Sequence, residues 1–185
     1  MRYEPREILL RDGTACLLRS PAAADAPAML DYLKITAVET DFLLRYPEEV
    51  TLTMEEEQSF LQKNLESPTD SMITAFVNGQ LAGNAGVQCV SGRQKLRHRC
   101  SLGIALKQAF WHNGLGSLLM DAALEQAAAA GFEQIELNVY SANTRAIALY
   151  ERKGFERWGT VRSAAKLKDG RYLDEYLMGR FLTAR

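Results

Sequence analysis

The stretch that decides the fold is Ile135–Phe155, IELNVYSANTRAIALYERKGF. With the residues just before it, FEQIELNVY reads as a strand ending near Tyr140. NTRAIALYERKGF reads as a short helix closed by Gly154, a C-cap candidate. Immediately upstream lies a second unit of the same kind. CSLGIALKQAF is a mostly apolar strand, followed by Phe110–Met120, FWHNGLGSLLM, where Gly114 and Gly116 open a helix from Leu115 to about Ala130. Leu115, Leu118, Leu119 and Ala122 share one face of that helix, and Gly131 closes it.

A strand, a glycine turn and a helix together make an anion site. The first helical turn has N–H groups without partners, and the macrodipole adds partial positive charge there. Glycine lets the backbone approach a bulky ligand and adopt positive φ. Two glycines before a helix also serve simply to turn the chain. Neither standard nucleotide motif fits: G-x-G-x-x-G fails at Leu119, and a P-loop fails at Ser117-Leu118.

The remaining elements follow from turn and cap signals. Asp12-Gly13 separates two apolar runs, as a hairpin would. Pro21–Val38 reads as a helix with Met29, Leu30 and Leu33 on one side. A second helix starts at a capping box, Thr53 with Glu56, and continues through Phe60, Leu61 and Leu65. Asn78-Gly79 marks another hairpin and SGRQKLRHR a basic loop. Asp169-Gly170 divides two strand-like runs in the tail. The order is ββ, αα, βββ, α, β, α, ββ, an α/β fold around a mixed sheet. With 185 residues and no composition break, residues 1–185 read as a single domain.

Composition excludes several classes. A net charge of −1 leaves no global field for nucleic acid or anionic lipid, so neither is an expected partner. The cluster Arg93, Lys95, Arg97, Arg99 lacks interleaved aromatics and reads as a solvated loop, or as a border of a site for a carboxylate-bearing substrate. Cys16, Cys89 and Cys100 are widely spaced structural thiols, in keeping with a reducing, cytoplasmic location. The amino-terminal MRYEPREILLRDG lacks an apolar h-region, so no signal peptide is expected, and no run is long enough for a membrane span.

Leu137, Val139, Asn143, Ala146, Leu149, Tyr150, Gly154 and Phe155 fall on the pattern L-x-V-x-x-x-N-x-x-A-x-x-L-Y-x-x-x-G-F. The chain thereby resembles the GCN5-related N-acetyltransferase (GNAT) superfamily. Trp111–Gly116 resembles that family's Q/R-x-x-G-x-G/A loop and departs from it at Trp111, which puts a side-chain contact from that position in doubt. The likeness spans about Met72 to Leu182. Softer features, Glu39-Thr40, the "RH" before the strand and DGRYLDEYLM, resemble bacterial members that acetylate small-molecule amines or amino acids.

The resemblance implies the GNAT fold, a mostly antiparallel central sheet of about seven strands with flanking helices. It also implies acetyl transfer from acetyl-CoA to a primary amine in a ternary complex, with no metal, and it is compatible with a homodimer. The N–H groups of His112, Asn113, Gly114, Leu115, Gly116 and Ser117 would hold the pyrophosphate, in a cofactor-binding loop that begins at Trp111. Ile104 and Leu106 match the strand beside the pantetheine arm, with the Leu106 N–H polarising the thioester. Asn143 would bond the arm, and Tyr150 would be the general acid or simply a core aromatic. The positions where relatives carry a basic carboxylate match Ser101 and Asn138, both neutral, which points to deprotonation through water. Glu39 and His98 remain as candidate bases; Glu39 could instead bind the substrate ammonium, and His98 could be a solvated loop histidine. Protein amino-terminal acetylation and a non-catalytic CoA-binding sensor are the competing functions.

Overall fold

The computed structural model describes residues 1–183. Strands β1 (Arg6–Leu9) and β2 (Ala15–Arg19) flank a turn in which the Asp12 carboxylate accepts from the Thr14 N–H at 2.9 Å. A 3₁₀ turn, Ala23–Asp25, leads into α1 (Ala26–Glu39). The helix therefore starts later than the expected Pro21, with Pro27 in its first turn, where no N–H is needed. Helix α2 (Met54–Glu66) begins at the expected capping box: Thr53 Oγ1 accepts from the Glu56 N–H at 3.2 Å, and the Glu56 carboxylate accepts from the Thr53 N–H at 2.8 Å.

Of the expected apolar residues of α2, Leu61 is buried and Leu65 partly so, but Phe60 faces solvent. Phe60 is 42% exposed, while Glu57, Leu61 and Asn64 are buried at i, i+4 and i+7. Leu61 packs with Met29 and Tyr32 of α1 and with Met72 and Leu81 of the sheet, forming a small core of its own.

Strands β3 (Ser71–Val77), β4 (Gln80–Cys89) and β5 (Arg99–Leu106) follow, then α3 (Leu115–Ala129), β6 (Gln134–Tyr140), α4 (Thr144–Arg152), β7 (Glu156–Lys166) and β8 (Tyr172–Phe181). Their order across the sheet is β1-β2-β3-β4-β5-β6-β8-β7, so the sheet holds eight strands among the described residues rather than about seven. All neighbours are antiparallel except β5 and β6, which α3 crosses over to lay side by side. Leu115, Leu119, Met120, Ala123 and Ala127 of α3 pack on Ile73, Ala85, Val87, Cys100 and Ile135 of the sheet. Burying Leu119 and Met120 fully contributes about 2 kcal/mol each.

The deciding stretch owes its residues to local geometry. Leu137 and Val139 are the inward residues of β6. Gly154 takes φ +80°, and the Phe155 N–H returns to the Tyr150 carbonyl at 3.0 Å. Arg180 of β8 donates to the Lys153 carbonyl at 2.7 Å, so α4 is closed from two directions.

Candidate active site

Parallel pairing of β5 with β6 lasts only from Arg99–Gln134 to Ser101–Glu136. Beyond it, β5 runs on to Leu106 and β6 to Tyr140 without pairing to each other. Ladder parity fixes which groups face the gap. On β5, Lys107 N–H donates to Ala82 O and Val90 N–H to Arg99 O, so odd-numbered residues bond toward β4. Ile104 and Leu106 therefore turn their main-chain groups into the gap. On β6, Ser141 N–H donates to Asp174 O and Leu182 N–H to Glu133 O, which leaves Asn138 and Tyr140 facing the gap from the other side. An open slot with main-chain donors and acceptors on both walls fits an extended amide-bearing chain.

The glycine loop sits at the end of β5, at the mouth of this slot. His112 and Gly114 both take left-handed backbone, at φ 65° and 84°. Among the described residues, the N–H groups of His112, Asn113, Gly114, Leu115 and Gly116 have no acceptor. Ser117 N–H, in contrast, is spent on Gly114 O at 3.0 Å and Trp111 N–H on Gln108 O at 3.0 Å. Five adjacent free donors at the start of a 15-residue helix make a cradle for an anion. The loop is pinned from the amino-terminal turn: Asn113 O accepts from the Arg11 N–H at 3.3 Å, and Asn113 Nδ2 donates to Asp12 at 2.7 Å. A Cβ on Gly114 would lie 3.3 Å from the Arg11 side chain, which places that guanidinium stem over the cradle. Arg11 was not legible as a site residue in the sequence.

Trp111 bonds its own chain. Its indole N–H donates to Leu106 O at 3.0 Å, and the Arg145 guanidinium lies 3.3 Å from the ring centroid. Arg145, in the first turn of α4, was not expected at the site either. Asn143 caps α4, its Oδ1 accepting from the Ala146 N–H at 3.2 Å, which leaves its Nδ2 donor free among the described residues. Tyr150 is 7% exposed, its hydroxyl makes no hydrogen bond among the described residues, and burial pushes its pKa up to about 12. Gly116 allows α3 and α4 to meet here, since a Cβ would stand 3.3 Å from Leu149 Cδ2.

Glu39 ends α1 and ties it to the segment after β5: its carboxylate accepts from the Gln108 N–H at 2.8 Å. It therefore lies on the Leu106 side of the sheet, with one oxygen committed. His98 does not. It precedes β5, eight residues from Leu106, or about 25 Å along an extended strand. That separation puts His98 at the opposite end of β5 from the glycine loop and Glu39, and its neighbours there are Asp70, Cys89 and Arg97. Ser101 donates weakly to Gln88 O at 3.4 Å, and the Asn138 amide donates to Glu175 of β8 at 3.0 Å. Asn138 is thus held by a carboxylate from the neighbouring strand, a cross-strand relation no linear motif encodes.

Beside Tyr140 a cavity of ≈ 80 Å³ opens between Leu43–Tyr46, from the α1–α2 connection, and Ala165–Leu167, from the end of β7. Asp41, Arg45 and Lys166 are its charged wall residues. Among the described residues no three His, Cys, Asp or Glu side chains converge as a metal site, and no helix is long and apolar enough to cross a membrane.

The sequence model described as the Acetyltransferase (GNAT) family matches residues 35–155, and the chain belongs to this family. Within it, the chain is similar to the L-amino acid N-acetyltransferase AaaT of Escherichia coli K12, 31% identical over 114 residues, which cover 61% of this chain and 69% of that protein. The acetyltransferase of GNAT family from Streptococcus pneumoniae superposes with a TM-score of 0.86 at 34% identity, covering 90% of this chain and 99% of that one. A GNAT superfamily phosphinothricin acetyltransferase from Sinorhizobium meliloti, solved in complex with AcCoA, shares the fold, with a TM-score of 0.78 at 21% identity over 90% of this chain and 88% of that one.

Proposed function

We propose that the protein transfers an acetyl group from acetyl-CoA to the primary amine of a small molecule or amino acid. The observation that carries this reading is the unpaired slot between β5 and β6, with a cradle of free N–H groups at its mouth. The slot takes a pantetheine-like chain and the cradle a pyrophosphate. The Leu106 N–H points where a thioester carbonyl would develop negative charge, as an oxyanion-hole donor does. The amine nitrogen bonds to the carbonyl carbon, the C–S bond breaks, and the Tyr150 O–H donates to the departing sulfur. Burial keeps that phenol protonated throughout the physiological range. The acceptor cavity is small, and Arg45 and Lys166 suit an acceptor that carries a carboxylate beside its amine. An amino acid has both, in keeping with the named activity of the Escherichia coli relative.

The test is thiol release from acetyl-CoA over a panel of amino acids, polyamines and amino-terminal peptides, with CoA affinity measured in parallel. Release that depends on amino acids supports the reading. Release with peptides alone would make the protein an amino-terminal acetyltransferase. Tight CoA binding without turnover on any amine would make it a CoA-binding module.

A further inference from the structure

Two side chains of opposite charge beside Tyr140 stand without an ion-pair partner. Arg45 lines the acceptor cavity, and among the described residues it makes no hydrogen bond or ion pair. Glu175 of β8 is partly exposed, and among the described residues no cation pairs with it. Its Oε2 accepts from the Asn138 amide at 3.0 Å, which leaves Oε1 unbonded among the described residues. The acid in the cavity wall, Asp41, is held by Arg171 at 3.4 Å.

Strand register brings Glu175 to that cavity. Tyr140 of β6 and Glu175 of β8 are antiparallel partners, so their side chains leave the sheet on the same face, about 4.5–5.5 Å apart at Cβ. Tyr140 and Ala165 of β7 both line the cavity, and β8 runs between them: Glu175 pairs with Tyr140 and Leu173 with Ala165. Tyr176 and Met178, of the other parity, pack into the main core, so Glu175 faces away from it. Burial and the nearby Glu175 charge both raise the pKa of the Tyr140 phenol. The β5–β6 register, carried on from Ser101–Glu136, sets Leu106 level with Ser141, the residue after Tyr140. Glu175 thus flanks the slot at the depth of the Leu106 N–H.

We propose that Glu175 and Arg45 form a charge clamp for a free α-amino acid, Glu175 receiving its ammonium group and Arg45 its carboxylate. This rests on the acetyl-transfer reading above and names the residues that bind the acceptor for it. The two charged groups of an α-amino acid sit on one carbon, so they need partners of opposite sign on two sides of one small cavity. Tyr140 borders both partners. A polyamine would leave Arg45 unanswered, and the amino terminus of a peptide would do the same. If Glu175 served only to hold Asn138, a glutamine would serve as well, since its amide oxygen accepts the same bond. The negative charge matters only to a cationic guest.

The test is calorimetric binding of the standard amino acids, and of the carboxamides of those that bind, to the protein saturated with CoA. Glu175→Gln keeps the bond to Asn138 and removes the charge. It is expected to weaken the amino acid and its carboxamide alike, by about 10–100-fold, because both carry the ammonium group. Arg45→Gln should weaken the amino acid severalfold and leave carboxamide affinity unchanged. CoA affinity and melting temperature should stay at wild-type values in both variants. Unchanged amino-acid affinity in Glu175→Gln would overturn the proposal, as would a wild type that binds no amino acid. Should Glu175→Gln not fold, Arg45→Gln carries the test: an equal loss for amino acid and carboxamide, or no loss for either, would overturn the clamp. Failure of the acetyl-transfer reading is distinguishable, because it shows as absent thiol release with every amine, whether or not amino acids bind.

Discussion

On the proposed reading Asn143 serves two roles with two different atoms, the helix cap and a contact to the cofactor arm, and substitution can separate them. Its Oδ1 caps α4 by accepting from the Ala146 N–H at 3.2 Å, while its Nδ2 is free to donate toward the slot. Helix α4 is only nine residues long, so it depends heavily on its ends. Asn143→Ala removes the cap and should destabilise the fold by about 1 kcal/mol. In a chain of this length that is a fall in Tm of roughly 2–4 °C. Asn143→Asp keeps an oxygen at the cap and adds a negative charge at the helix N-terminus, which the macrodipole favours. Its Tm should therefore stay within about 1 °C of wild type. The same variant loses the Nδ2 donor and places a carboxylate beside the arm's carbonyl groups. CoA affinity should then fall about 10-fold, since leaving one polar partner unmatched is worth about 1–3 kcal/mol. Thermal melts and CoA titration calorimetry on the three proteins decide the matter. If Asn143→Asp melts as low as Asn143→Ala, the capping argument is wrong. If it binds CoA as tightly as wild type, the arm contact is wrong.

Three further outcomes follow from neighbouring residues. Gly114→Ala forces a Cβ into left-handed backbone at φ 84°, at a strain of about 1–2 kcal/mol, and turns the cradle's N–H groups out of line; CoA affinity should drop more than stability does, and equal affinity would remove the phosphate role. Trp111→Phe loses only the indole bond to Leu106 O and should cost about 1 kcal/mol, whereas Trp111→Ala also loses the Arg145 stack and should cost about 1 kcal/mol more; identical denaturant midpoints for the two would show that the stack contributes nothing. For Tyr150 the folded pKa of about 12 exceeds the reference of 10.0, so the folded state holds the phenolic proton more tightly. Its contribution is complete below pH 10 and declines as pH rises from 10 toward 12, by at most about 3 kcal/mol. Tyr150→Phe should flatten that alkaline decline in urea melts while lowering kcat by about 100-fold, and an unchanged kcat would remove Tyr150 from the acid role.

What was legible in the sequence is what depends on near neighbours in the chain. Asn143 with Ala146, Tyr150 with Gly154 and Phe155, and Thr53 with Glu56 are contacts within one or two helical turns, so spacing alone reports them. The glycine loop was legible for the same reason. Glu57 was not, because it stands in a run of three glutamates at the start of a helix, where acidic residues ordinarily face solvent and complement the dipole. The packing of α2 against α1, the 3₁₀ turn and β3 buries it, a tertiary effect that the spacing of Phe60, Leu61 and Leu65 does not report. Glu175 and Arg11 reach the site across strands and turns, beyond the range of any local pattern.

His98 is a different case, because topology alone could have placed it. When a helix carries the chain from the end of one strand to the start of a parallel neighbour, the ligand cleft lies at the carboxyl ends of both strands. In this sheet those ends are Leu106 and Tyr140. The glycine loop, Gln108, Glu39 and the cavity beside Tyr140 all gather there. A residue that precedes β5 must lie at the opposite edge, however suitable its side chain.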